Sequence, residues 1–227
     1  MTTQNQENNG EKKILIVEDH PIFRMGLADL IEQEPDFHVC GHAESVGDAI
    51  EAIGQTSPDL VIVDLSLKTS NGLDLIKILN EERSQLPVLV LSTYDENIYA
   101  ERCLHAGARG YINKKEASEL VIEAIRKIFS GNIFLSPKMT DIVLNKFQSG
   151  SASEIAPSVT RLTDRELEVF TLIGQGMIPG DIAKSLHISA KTVYSHTERI
   201  KEKLKINHSS ELVRFAVLWA ERDKHQS

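Results

Sequence analysis

The sequence predicts an α/β domain built on a doubly wound, five-stranded parallel sheet, followed by a smaller all-α domain. Three observations carry this. Five short apolar runs alternate with helical patterns between residues 12 and 130. Three of those runs are apolar without interruption, as strands buried on both faces are. Past a Ser-, Gly- and Pro-rich stretch, every remaining segment reads helical.

The runs are Ile14–Val17, Phe37–Cys40, Leu60–Val63, Val88–Leu91 and Gly110–Ile112. Pro21 suits a first helical position, and Phe23, Leu27, Leu30 and Ile31 make a buried stripe behind it. Ser45 can cap a helix that carries Val46, Ala49, Ile50 and Ile53 on one face, with Asp48 in its first turn. Leu73, Ile76 and Leu79 mark a third helix. Leu120, Val121, Ala124, Ile125 and Ile128 mark the last one of this domain. After Gly131 the texture changes: Ser136-Pro137 opens a short helix, and Gln148–Thr160 reads as a linker. The expected division is therefore 12–130, a connector over 131–160, and a second domain over 161–224.

In that second domain Thr163 and Glu166 have capping-box spacing ahead of Leu167, Phe170, Leu172 and Ile173. Ile182, Ala183 and Leu186 follow, then a turn at His187–Ser189. Val193, Thr197, Ile200 and Leu204 form the inward stripe of the next helix, and a final helix is expected over about 210–221.

The 227 residues, 41% hydrophobic and 26% charged, suit two small cores and exclude wholesale disorder. No apolar run approaches the roughly 20 residues of a membrane span, and Met1–Lys13 is polar, without the apolar stretch of a signal peptide. Two cysteines, Cys40 and Cys103, make neither a disulfide framework nor a metal quartet. A cytoplasmic protein with no membrane partner is expected. The charge is uneven: residues 1–150 carry 14 Lys and Arg against 23 Asp and Glu, whereas 151–227 carry 11 against 10. Over 184–205 six basic residues (Lys184, Lys191, Arg199, Lys201, Lys203, Lys205) face two acidic ones. Taken alone, that run reads as a solvated helix face.

Three carboxylates stand where apolar runs stop: Glu18 and Asp19 after Ile-Leu-Ile-Val, and Asp64 after Leu-Val-Ile-Val. Open parallel sheets bind ligands outside the carboxyl ends of their strands, at the switch in strand order. Clustered like charges raise one another's pKa unless a cation neutralises them, and an all-oxygen donor set favours a hard ion such as Mg²⁺. Two more strand ends add the hydroxyl of Ser92 (or Thr93) and the ammonium of Lys114. Each residue alone reads as a cap or a solvated charge. Together, at four strand ends in order, they describe a phosphoryl-handling site.

The segments VEDHP, VDLSLKTSNG, LST and ARGYINK resemble the receiver domain of bacterial two-component response regulators. The stretch from LTDRELEVFTLIGQG through DIAKSLHISAKTVYSHTERIKEKL is similar to the LuxR-type helix-turn-helix. Both resemblances cover most of their domain, so the chain resembles the NarL/FixJ family, whose receiver has a flavodoxin-like sheet. The resemblance implies that Asp64 accepts phosphate from a sensor histidine kinase. It implies that Glu18, Asp19, Asp64 and the Ser66 carbonyl hold Mg²⁺, that Ser92 and Lys114 contact the phosphoryl group, and that Tyr111 is the aromatic switch. Tyr111 also reads as an ordinary core aromatic. Two departures stand out. Lys68 occupies the place where the family commonly has proline, and Ile178-Pro179-Gly180-Asp181 replaces a polar run before the helix-turn-helix; Gly72, eight residues past Asp64, is retained.

In and just before the basic helix over 190–205, Lys184, Lys191, Thr192, Lys201, Lys203 and Lys205 are candidates for phosphate contacts in double-stranded promoter DNA. Tyr194, Ser195, Glu198 and Arg199 are candidates for base edges. Glu198 could accept from a cytosine amino group or, more simply, pair with Lys201. The last helix carries Leu212, Val213, Ala216, Val217, Trp219 and Ala220, which either pack on their own domain or serve a homodimer formed on activation. The favoured function is a phosphorylation-controlled transcription regulator, not an enzyme. The alternatives are a phospho-signalling adaptor whose helical domain binds protein, and a Mg²⁺-dependent phosphohydrolase. A dehalogenase-type hydrolase would want Asp where Ser66 stands.

Overall fold

The computed structural model describes residues 10–67, 71–83, 85–94, 96–137, 139–141, 159–186 and 188–225. The loop at Lys68, most of the expected linker (148–158) and His187 lie outside them. The chain forms two compact units, Met1–Thr140 and Asp141–Ser227.

The first unit alternates strand and helix throughout: β1 (Lys12–Val17), α1 (Pro21–Glu32), β2 (Phe37–Ala43), α2 (Val46–Thr56), β3 (Leu60–Asp64), α3 (Gly72–Glu82), β4 (Val88–Ser92), α4 (Glu96–Ala106), β5 (Gly110–Asn113) and α5 (Ala117–Phe129). All strand pairs are parallel, in the order β2-β1-β3-β4-β5. The order reverses between β1 and β3, so their carboxyl ends flank the crevice where such sheets bind ligands. Residues Ile14–Val17, Leu60–Val63 and Val88–Leu91 are all buried, which explains why these runs do not alternate. Removing that much apolar surface from water is the main driving force for this layer, at roughly 25 cal/mol per Å².

Local signals place the helices. Pro21 begins α1; the Ser45 hydroxyl accepts from the Asp48 N–H to cap α2, and the Asn71 side chain accepts from the Leu73 N–H to cap α3. Gly72 is forced by packing, because a Cβ there would lie 2.1 Å from the Asp64 carbonyl oxygen. Helix α4 leaves no apolar stripe in the sequence from which it could be expected. Its inward face is Tyr99, Ala100 and Cys103, too short of Leu, Ile and Val to register as an amphipathic stripe. Ile50, expected on the buried face of α2, is 43% exposed. Strands β2 to β5 run one to three residues further than the apolar runs, since backbone pairing continues through Asp64, Ser92 and Asn113.

Beyond α5 the chain returns along β5. The Phe134 N–H donates to the Arg109 carbonyl at 2.8 Å, and Phe134 bridges Gly110. Ser136, buried, starts the expected helical turn by accepting from the Met139 N–H, and it donates to Glu96 Oε2 at 2.8 Å.

The second unit is helical: α6 (Asp164–Gly174), α7 (Pro179–Ser185), α8 (Ala190–Leu204) and α9 (Ser209–His225), after a single 3₁₀ turn at Val159–Arg161. That turn takes in Thr160, the expected end of the linker. The Thr163/Glu166 capping box is formed. Leu167, Phe170, Ile182, Val193, Ile200, Leu212 and Ala216 are buried, and Phe170 meets Phe215 and Trp219 at ring-centroid distances of 5.7 and 5.3 Å. Helix α9 runs longer than expected, through His225. No described helix is long and apolar enough to cross a membrane.

Candidate functional site

The carboxyl ends of β1 and β3 deliver Glu18, Asp19 and Asp64 to one place. All three side chains are buried, and their oxygens, with a nitrogen of His20, lie within 4.8 Å of one another. Parallel pairing of Ile14–Val17 with Leu60–Val63 puts the two strand ends level, so the juxtaposition follows from register. Lys114, leaving β5, reaches in: its Nζ lies 2.8 Å from Asp64 Oδ2 and 2.6 Å from Glu18 Oε2. Three carboxylates against one ammonium leave an excess of negative charge in a desolvated place. Burial pushes the Asp64 carboxyl above its ordinary value and the Glu18 charge adds to that; the Lys114 ammonium and the Ser66 N–H, 3.0 Å from Asp64 Oδ1, work against it without cancelling it.

The donor set is all carboxylate apart from one exposed imidazole, which fits a hard divalent cation such as Mg²⁺. The sign of the linkage is testable. A carboxyl whose pKa is raised on folding favours the folded state most below its unfolded pKa. That advantage is lost as pH rises through the folded pKa, so the ionised group costs stability at neutral pH. Asp64→Asn is therefore expected to raise the thermal midpoint at pH 7 to 8 in EDTA, with the gap narrowing toward pH 4. Mg²⁺ is expected to raise the wild-type midpoint in proportion to ln(1 + [Mg²⁺]/Kd). Scanning calorimetry of both proteins across that pH range reads both effects, and a lower midpoint for Asp64→Asn at neutral pH would contradict the electrostatic account.

Of the two candidate hydroxyls, Ser92 is fully buried and accepts from the Tyr94 N–H at 3.2 Å, while Thr93 is exposed. Of the two lysines, only Lys114 reaches the carboxylates. Lys115 points out, its N–H held by the Asn113 side chain. Tyr111 is fully buried and donates its hydroxyl to the Tyr94 carbonyl at 2.8 Å; Tyr94 in turn stacks on Tyr99 of α4, ring centroids 4.6 Å apart. The backbone just past Ser92 is thus tied to the side chain of β5.

Three neighbours escaped the sequence reading. His20 Nδ1 lies 3.0 Å from Glu18 Oε1 and 2.8 Å from Asp19 Oδ1. Arg24 donates to the Glu18 carbonyl at 2.7 Å and pairs with Glu44 at 3.0 Å, bracing the turn that carries Glu18. The Phe23 ring lies under Lys114 Nζ, 4.6 Å from its centroid. Only His20 had a local signal, its place directly after Glu18 and Asp19; the other two meet the site through the fold.

On the second unit, Ser189 caps α8, accepting from the Thr192 N–H, and Pro179 is the first residue of α7. Lys191, Tyr194, Ser195, Glu198 and Arg199 are exposed along α8, and Lys184 is exposed on α7. Lys205, exposed, closes α8 in the left-handed region. Two expectations need correction. Lys201 was expected to face outward, but its side chain is 15% exposed and its Nζ pairs with Glu198 at 2.9 Å, the simpler of the two readings of Glu198. Lys203 is not an available phosphate contact, because its Nζ is held 2.6 Å from Glu166 of α6. Burial raises the Glu166 carboxyl, but Lys203 and the backbone and hydroxyl of Thr163 outweigh it, so it sits below its ordinary value. His196, on the same helix, turns inward. Burial lowers its imidazole below the ordinary value, Arg165 and Arg199 add to this, and Glu166 opposes it.

A doubly wound sheet with acidic strand ends, joined to a helix-turn-helix unit, defines a class. Residues 14–126 match the response regulator receiver domain and residues 160–216 the bacterial regulatory proteins of the luxR family. The chain belongs to the two-component response regulators that join a receiver to a LuxR-type DNA-binding domain, a family of transcriptional regulators. It is 29% identical over 221 residues to the transcriptional regulatory protein DegU of Brevibacillus brevis, spanning 92% of this chain and 94% of that protein. It is 32% identical to the oxygen regulatory protein NreC of Staphylococcus carnosus, spanning 90% and 96%. Among solved structures, a LuxR-family response regulator from Aurantimonas sp. shares 27% identity at a TM-score of 0.58, covering 61% of this chain and 99% of its own. Salmonella typhimurium RcsB shares the fold at a TM-score of 0.68 and 24% identity, over 92% and 98%.

Proposed function

We propose that Asp64 is the phosphoacceptor and that its modification controls how α8 engages promoter DNA. The carrying observation is the Lys114 ammonium 2.8 Å from a buried Asp64 carboxylate, within an all-carboxylate donor set at the strand-order switch. Glu18, Asp19, Asp64 and the Ser66 carbonyl would hold Mg²⁺, which when bound neutralises carboxylate and phosphoryl charge. An Asp64 oxygen attacks phosphorus, the P–N bond of the kinase's phosphohistidine breaks, and the electron pair leaves on the imidazole nitrogen, which takes up a proton. The new phosphoryl group adds about −1.5 to −2 charge and three acceptor oxygens. Ser92 and Lys114 supply a hydroxyl and an ammonium to them. Ser92 then gives up the Tyr94 N–H, loosening the loop on which the Tyr111 hydroxyl rests, and the β4–α4–β5 side of the unit is biased toward a second arrangement.

Ile22 and Met25, 88% and 65% exposed one turn apart on α1, offer an apolar surface beside Glu18 and Asp19 for the kinase. Val213 and Leu218 remain exposed on α9 and support a homodimer, which would read two half-sites about 10 bp apart or a multiple of that. A protein that reads chromosomal promoters works in the cytoplasm.

Acetyl phosphate with Mg²⁺ is expected to add one phosphoryl group to the wild type and none to Asp64→Ala, read by intact mass. Equal labelling would reject Asp64. Binding to promoter DNA is expected to weaken with salt, and Lys191→Ala to flatten the slope of log K against log[salt] by about 1, as one phosphate contact requires. An unchanged slope would take Lys191 out of the interface, and no DNA binding at all would favour the adaptor.

A further inference from the structure

We propose that Phe23 is a positioning residue for Lys114, holding its ammonium over the pocket by a cation–π contact that outlasts the chemistry. The inference rests on the reading of Asp64 as phosphoacceptor. Among the described residues, Lys114 Nζ meets Asp64 Oδ2, Glu18 Oε2 and the face of the Phe23 ring. Acceptance of phosphate removes the first, because the Asp64 carboxylate becomes an acyl phosphate and its charge moves outward onto the phosphoryl oxygens. Cation binding would compete for the second, since Glu18 is in the carboxylate donor set. The ring face is the neighbour that neither event consumes.

The ring is also a fixed wall. Phe23 lies in the first turn of α1, started by Pro21, and packs, partly buried, against the hydrophobic core of the sheet. The Lys114 side chain is only 10% exposed, so the contact is of the desolvated and stronger kind. A flexible lysine released from both carboxylates would otherwise regain its rotamers and drift toward solvent. Phe23 thus keeps the ammonium where the phosphoryl oxygens arrive.

Fluorinated phenylalanines at position 23 of the full chain test this, because successive fluorines drain the ring face while nearly preserving its shape. Labelling by acetyl phosphate with Mg²⁺ is expected to slow in step with fluorination. The total effect is about five- to thirty-fold from phenylalanine to the trifluoro ring, with Phe23→Leu as slow as the trifluoro protein and Phe23→Trp as fast as wild type. A flat series, with wild type labelled at Asp64, overturns the proposal, since a purely structural Phe23 would respond to shape alone. The second readout is the ring-current shift of the Lys114 ε-methylene protons, measured without and with beryllium fluoride and Mg²⁺. Its persistence in the loaded protein supports the proposal, and its disappearance there overturns it. Failure of wild type to be labelled at Asp64 would instead defeat the phosphoacceptor reading, while the ring-current shift in the unloaded protein still judges the contact.

Discussion

Alanine in place of Gly72 is expected to cost the receiver about 3 kcal/mol or more, the upper end of what overpacking does elsewhere. The added methyl would sit 2.1 Å from the Asp64 carbonyl oxygen and 2.9 Å from the Leu65 Cα, both backbone atoms that no side-chain rotation can move aside. Either α3 lifts off the end of β3 or β3 itself shifts. In both cases the Gly72 N–H loses its 3.2 Å hydrogen bond to the Leu65 carbonyl, and the Asp64 side chain moves relative to Glu18. Urea unfolding should show a lower midpoint with an unchanged m-value, and labelling by acetyl phosphate should fall in the population still folded. A wild-type midpoint would mean that α3 and β3 do not approach this closely.

Lys114→Ala should be comparably severe, by electrostatics rather than by volume. It leaves Glu18 and Asp64 buried without their shared cation, and breaking such a pair from one side costs about 3–5 kcal/mol. The Asp64 pKa, already raised by burial, should rise further, because Lys114 is the largest influence holding it down. By the linkage sign given above, the variant should be more stable at pH 5 than at pH 8, and Mg²⁺ should recover much of the loss at pH 8. Denaturant curves at the two pH values, with EDTA and with Mg²⁺, separate this from packing loss, which pH and metal would leave alone. The variant should still take up phosphate at Asp64, but at least as slowly as the trifluoro Phe23 protein, and should no longer translate the modification into a change in DNA binding.

Much of the sheet was legible because burial on both faces leaves a plain mark: uninterrupted Val, Ile and Leu at β1, β3 and β4. The polar side chains that close those strands, Glu18, Asp64 and Ser92, were legible for the same reason, standing at the first polar positions after those runs. Helix α4 was not, because its buried face is made of Tyr99, Ala100 and Cys103 and because Glu96 also turns inward, so polarity and burial part company. Ile50 erred the other way: its spacing matched a stripe wider than the face α2 presents to the sheet. Phe23 and Arg24 carry no local sign of their contacts, which exist only once the fold brings one to Lys114 and the other to the turn after β1. Lys201 and Lys203 look like solvated cations in one dimension, and only the packing of α8 on α6 shows that one is sequestered and the other tied to Glu166.

The hydrogen bond from Ser136 to Glu96 joins the first turn of α4 to the residue that opens the short helical turn of the connector. With Phe134 stitched to the start of β5 and packed in the core with α5, the chain leaves the sheet at a point that α4 also holds. The exit is therefore anchored at two points, and a displacement of the first turn of α4 would carry the helical turn at Ser136 with it.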